Sequence, residues 1–184
     1  MSDTPVSPVL RSLPNALTIA RLAAIPVFVV LLISENEGPS WPAGILFGAA
    51  AFTDQLDGFL ARRWHVESAF GKVADPLADR LMIDVCVVML VAYDRLPWVA
   101  LVILARDALL IVGYRYLVPR GYEFEVSRVG KVATWGIYAS LGFVLVTEKG
   151  TQWPIVCFWI NLGLAVLAAL QYIQKARREV RRPV

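Results

Sequence analysis

Histidine, cysteine and charge are all scarce in this sequence. Its 184 residues include one histidine, His65, and two cysteines, Cys86 and Cys157. Both cysteines fall inside apolar runs, which argues against a disulfide framework and against a thiolate metal site, and predicts buried, inert thiols. His65 reads as a solvated loop residue. Charged residues make up 18% and hydrophobic residues 58% of the chain, with a mean hydropathy of +0.59. A soluble domain is usually about 45–50% apolar. There is no convincing internal repeat, no second domain and no cleavable leader pattern; the first apolar run follows a proline-punctuated start and continues into mature-looking sequence.

What the chain does have is a series of apolar runs near the length that crosses a bilayer. Six are legible: Ala16–Ile33, Pro42–Leu60, Pro76–Ala92, Trp98–Leu117, Val132–Val146 and Pro154–Ile173, the fifth being short. Helices satisfy their own backbone hydrogen bonds in lipid, so the expected fold is an all-α integral membrane bundle of six transmembrane helices. Residues 1–14 form a juxtamembrane segment that starts as an interfacial helix, 15–174 the bundle, and 175–184 a basic tail. With six spans both termini share one side. That side carries most of the cations, including Arg11, Arg21, Arg62, Arg63, Lys72, Arg128 and Lys131, whereas the opposite loops carry Arg95 and Lys149. The positive-inside rule then places both termini in the cytoplasm, in the cell membrane. Topology and anionic lipid account for the basic side, so nucleic acid is not an expected partner. Trp41, Trp98 and Trp153 stand at loop edges, as interface anchors do.

Against this background the stretch DQLDGFLARRWHVESAFGKVADPLADR is anomalous. Charges deep in a bilayer are expensive and mark function or pair with one another. If the second span leaves the membrane near Arg62 and the third enters near Asp75, Asp54 lies roughly 12 Å inside, Asp57 roughly 7 Å and Asp79 roughly 6 Å. Asp54 and Asp57 are i and i+3, Asp75 and Asp79 i and i+4, so each pair shares one helix face. Asp75 before Pro76 reads as the N-cap of the third helix. Four such carboxylates repel one another unless cations intervene. An oxygen-only set favours Mg²⁺, Mn²⁺ or Ca²⁺, and four carboxylates suffice for two metals that clamp phosphoryl groups. Gly58 and Ala61 keep the helix surface thin, Arg62 offers a bidentate fork for phosphate, and Gly71 frees the connecting loop.

The same stretch follows D-x2-D-G-x2-A-R-x8-G-x3-D-x3-D without a gap, filled by Asp54, Asp57, Gly58, Ala61, Arg62, Gly71, Asp75 and Asp79. It resembles the signature of the CDP-alcohol phosphatidyltransferases, and the likeness extends over the whole chain. The resemblance implies a membrane enzyme, often a homodimer, that transfers a phosphatidyl group from CDP-diacylglycerol to an alcohol and releases CMP. It implies that Asp54, Asp57 and Asp75 ligate two divalent cations, Mg²⁺ before Mn²⁺. Asp79 completes the set and acts as the catalytic general base, at a site open to the cytoplasm. Gly58, Arg62 and Ser68 match positions contacting the nucleotide or its diphosphate, as Ala61 and Gly71 match the motif around them. The segment PNALT, with Asn15 and Thr18, matches a further region of contact with the CDP-lipid.

The acceptor is less marked. Relatives that use glycerol 3-phosphate often show G-K-x-K-T, where this chain has Gly130, Lys131, Ala133 and Thr134. Losing one cation weakens the case for a dianionic phosphate. The segment also resembles enzymes of cardiolipin-synthase type, so phosphatidylglycerol is the leading acceptor and glycerol 3-phosphate the alternative. Lys131, Arg106 and Arg128 are the acceptor-side candidates. Arg106 is equally well read as the partner of a buried Asp84 at similar depth. The rival class is a cation transporter, which predicts charges along a path to the far side. The four aspartates instead gather near one face.

Overall fold

The computed structural model describes residues 8–35, 38–64, 71–117 and 128–180. Among them the chain is entirely helical in its regular structure: α1 (Pro8–Ser34), α2 (Trp41–Trp64), α3 (Gly71–Ala92), α4 (Val102–Leu117), α5 (Arg128–Val146) and α6 (Gln152–Val180), with a single 3-10 turn at Trp98–Leu101 leading into α4. Three helical segments are long and apolar enough to cross a membrane by length and composition: Ala16–Ser34, Val129–Val146 and Gln152–Gln171. The shortest of the six apolar runs thus belongs to a full-length apolar helix that starts at Arg128.

Two boundaries differ from the sequence expectation. The interfacial segment and the first span form one continuous helix, α1. Helix α3 starts at Gly71, so Asp75 is not its N-cap and Gly71 opens a helix instead of sitting in the connecting loop. The first four N–H groups of a helix have no intrahelical partner, which lets α3 extend back through Lys72, Val73 and Ala74. Pro76 then sits just inside, at the cost of one bond to the Lys72 carbonyl.

The packing follows a 3.6-residue period. Met82, Cys86, Val87 and Leu90 form the buried face of α3, and Ala133, Ile137, Leu141, Val144 and Leu145 that of α5. Phe28, Phe47 and Tyr138 stack in a tilted series at centroid distances of 5.9 and 5.4 Å, joining α1, α2 and α5. Large apolar side chains also cover the outside of the described helices: Val30, Ile45, Phe52, Val112, Val132 and Ile160 are all exposed. A lipid solvent accounts for that pattern. Small residues allow close helix approach. A Cβ at Gly44 would overlap Val146 on α5, and one at Gly136 would overlap the Asn161 side chain on α6. Polar side chains within the helices bond to their own backbone, as Thr53 Oγ1 does to the Ala49 carbonyl (2.8 Å) and Asn161 Nδ2 to that of Cys157 (2.8 Å). Cys86 is buried and Cys157 partly so; both are free thiols.

One end of the bundle is tied by an arginine. Helix α3 closes in a Schellman motif: Arg95 N–H donates to Leu90 O (2.8 Å) and Asp94 N–H to Val91 O (3.0 Å), with Asp94 in the left-handed region at φ 54°. That turn drives Arg95 inward, where it is only 5% exposed. Its Nη1 donates to Gly38 O (2.7 Å) in the α1–α2 turn, and its Nη2 to Val144 O (2.7 Å) and Thr147 O at the end of α5. Burial pulls the guanidinium below its usual pKa, partly offset by Glu148. Alongside it, Ser40 caps α2 by accepting the Ala43 N–H (3.3 Å), and its own N–H donates to Leu145 O (2.8 Å). Trp41, Trp98 and Trp153, all exposed, stand at helix starts on this same end.

Candidate active site

The four aspartates lie on the two helices joined at the opposite end: Asp54 and Asp57 late in α2, Asp75 and Asp79 early in α3. Their side chains lie outside the described residues, as do those of Gly58, Ala61, Arg62, Gly71, Asn15 and Arg128, and Ser68 and His65 altogether. The backbone nevertheless sets their levels. Helix α1 packs against both α2 and α3. The end of α1 turns directly into α2, and Arg95 ties the end of α3 to that turn. Measured along each helix from this common end at 1.5 Å per residue, Arg21, Asp54 and Asp79 all lie roughly 20 Å away, and Thr18, Asp57 and Asp75 roughly 24–26 Å. Three helices therefore bring the two carboxylate pairs and part of α1 into the same two layers.

The α1 residues in those layers are buried. Thr18 is fully buried and Arg21 only 4% exposed. They continue a stripe with Ile25, Phe28 and Leu32 that is polar toward the carboxylate layers and apolar above them. Thr18 is one of the CDP-lipid candidates of the sequence. Arg21, one turn after Thr18 inside an apolar run, reads in sequence only as a basic-side charge, and the fold buries it.

The donor chemistry suits hard cations. All four groups are carboxylates, in two level pairs, and oxygen-only sets prefer Mg²⁺ or its neighbours. Among the described residues no group of three His, Cys, Asp or Glu is placed to hold a metal.

The acceptor-side candidates separate. Lys131 is exposed on α5, two positions before a fully buried Ala133, and Thr134 Oγ1 bonds to Gly130 O (3.0 Å). Arg106 lies on α4, but its partner is not Asp84. Arg106 Nη1 donates to Oδ1 of the adjacent Asp107, which also receives Arg80 Nη1 (2.7 Å) from α3. Asp84 Oδ1 is buried with no hydrogen-bond partner. Asp107 carries no signal of its own in the sequence, because nothing local shows that a charge arrives from α3.

The sequence profile of the CDP-alcohol phosphatidyltransferase family matches residues 11–168. The chain is 34% identical over 186 aligned positions to the cardiolipin synthase (CMP-forming) of Streptomyces coelicolor, covering 94% of this chain and 86% of that one. It is 30% identical to the CDP-diacylglycerol–glycerol-3-phosphate 3-phosphatidyltransferases of Rickettsia felis (91% of this chain, 97% of that one) and Bacillus subtilis (89% and 94%). A profile spanning nearly all of the helical bundle, with relatives matched over almost their whole lengths, places this chain in the CDP-alcohol phosphatidyltransferase family as a multi-pass membrane enzyme.

Proposed function

We propose that this enzyme transfers a phosphatidyl group from CDP-diacylglycerol to glycerol 3-phosphate, releasing CMP at a site facing the cytoplasm of a six-span membrane bundle. The observation that carries the reaction class is the ungapped carboxylate motif, whose two pairs lie in common layers on α2 and α3. For the acceptor, the support comes from the relatives in Rickettsia, Bacillus and Escherichia coli that are named for glycerol 3-phosphate. They favour it over phosphatidylglycerol, the leading sequence expectation. Phosphatidylglycerol stays as the second reading on a specific observation: position 133 faces the interior and carries an uncharged alanine.

In this reading Asp54, Asp57, Asp75 and Asp79 hold two divalent cations, which when bound supply positive charge to the diphosphate of the donor. The chain's own residues do the rest. Asp79 takes the proton of the acceptor hydroxyl, an alcohol being a poor nucleophile at neutral pH. The acceptor oxygen bonds to the β-phosphorus as the bond to CMP breaks. Arg62 holds phosphate oxygens by its planar fork, and Gly58 and Ala61 leave room for the nucleotide. Asn15, Thr18, Ser68 and Gly71 contribute to the CDP-lipid site, and Lys131 and Arg128 to the acceptor side; Arg106, held by Asp107 inside the bundle, is not assigned to it. The recessed position limits hydrolysis by water. A homodimer with cytoplasmic termini is the expected assembly.

The test is CMP release by purified protein with CDP-diacylglycerol and Mg²⁺, offering each acceptor in parallel. Release with glycerol 3-phosphate alone is expected. Release only with phosphatidylglycerol, giving a four-chain lipid, reverses the acceptor assignment and leaves the reaction class intact.

A further inference from the structure

Arg106 and Asp107 interrupt an apolar α4 about one turn outward of the carboxylate layers. The Asp107 side chain is 1% exposed, that of Arg106 9% and that of Arg80 24%. A single oxygen, Asp107 Oδ1, receives both guanidinium groups, one from its own helix and one from α3. Asp107 Oδ2, Asp84 Oδ1 and Arg106 Nε are buried without hydrogen-bond partners. Asp84 makes no ion pair with Arg80 or Arg106 but lies within electrostatic reach of both and of Asp107, so two arginines and two aspartates leave the group neutral.

As glue this cluster is poor. Buried charges are costly to desolvate, and apolar side chains of similar size hold helices together as well or better. What it supplies is direction. Apolar contact is non-directional, whereas a charged N–H···O bond near 2.7 Å weakens steeply as its angle departs from linear. Helix α3 packs mainly on α1, through non-directional apolar contact, and meets α4 only narrowly. The Arg80–Asp107 bond is therefore placed to set the rotation of α3 about its axis. Arg80 directly follows Asp79.

We propose that Asp107 is a positioning residue for phosphatidyl transfer: by holding Arg80 it fixes the rotation of the α3 turns that carry Asp75 and Asp79. The inference rests on the role given to those aspartates above. A carboxylate roughly 6 Å from a helix axis moves about 1 Å for a 10° turn, and a displacement of that size costs up to about a hundredfold in rate.

The experiment compares wild type, Asp107→Asn, Asp107→Glu and the double variant Arg80→Leu/Asp107→Leu as full-length protein in lipid nanodiscs. The double variant keeps the charge balance, because Arg106 and Asp84 remain. Thermal midpoint, kcat and KM for CMP release, and Mn²⁺ binding by paramagnetic resonance are read for each. Asp107→Asn is expected to lose kcat about 10- to 100-fold with KM within about threefold of wild type, and Asp107→Glu to recover most of it. The double variant is expected to regain the wild-type midpoint but not its kcat. Recovery of both in the double variant shows charge neutralisation alone and overturns the positioning role. So does an unimpaired Asp107→Asn that binds Mn²⁺ as wild type does. Wild type that turns over but holds no Mn²⁺ overturns instead the carboxylate reading beneath the proposal, and the kcat comparison still decides the part played by Asp107.

Discussion

Replacing Arg95 by methionine separates stability from catalysis in this bundle. The wild-type guanidinium reaches three backbone carbonyls, Gly38 O and Val144 O at 2.7 Å and Thr147 O, while almost entirely buried. Methionine fills similar volume without a donor, so it leaves those carbonyls unpaired at the junction of three helix ends. Hydrogen bonds to charged groups contribute about 1.5–3 kcal/mol each, and an unpaired buried group costs about 1–3 kcal/mol. The contributions are not independent, and the desolvation cost of the arginine itself is relieved, so the net loss is about 3–5 kcal/mol. For a chain of this size that corresponds to a fall in thermal midpoint of roughly 6–20 °C. The assay is tryptophan fluorescence of detergent-solubilised protein during heating at a fixed scan rate. Arg95 lies roughly 20 Å from Asp79 along α3, so CMP release well below the midpoint should stay within about twofold of wild type. Arg95→Lys should recover only part of the loss, because an ammonium lacks the planar fork that spans three acceptors. A midpoint shift under about 2 °C, or a large loss of turnover in a fully folded variant, would refute the view of Arg95 as a tie between helix ends.

Three further outcomes are expected. Asp79→Asn should leave the thermal midpoint nearly unchanged and reduce CMP release by about 10²–10⁴-fold, the range for a lost general base; near-normal turnover removes Asp79 from that role. Excess EDTA should abolish CMP release and added Mg²⁺ restore it, whereas chelator-insensitive turnover rules out the carboxylates as metal ligands. Gly136→Ala should destabilise the α5–α6 pair by about 1–3 kcal/mol, because the added methyl overlaps the Asn161 side chain, and Asn161→Ala in the same chain should relieve part of that loss in the same heating assay.

Much of this protein is decided by local sequence. Apolar runs of membrane length dictate helices because lipid offers the backbone no other hydrogen-bond partner. The spacing of Asp54, Asp57, Asp75 and Asp79 dictates one helix face per pair, and an all-carboxylate donor set favours hard over soft cations whatever the packing around it. Helix starts were less legible: α3 begins at Gly71, ahead of the stronger Asp75-Pro76 signal, because its first turn needs no internal N–H partners. What only the tertiary structure decided is where isolated charges go. Arg21 and Arg95 read in sequence as a basic-side cation and a loop cation, and Asp107 does not stand out. The fold buries all three; Arg95 and Asp107 take partners from other helices, and no local pattern records which helices meet.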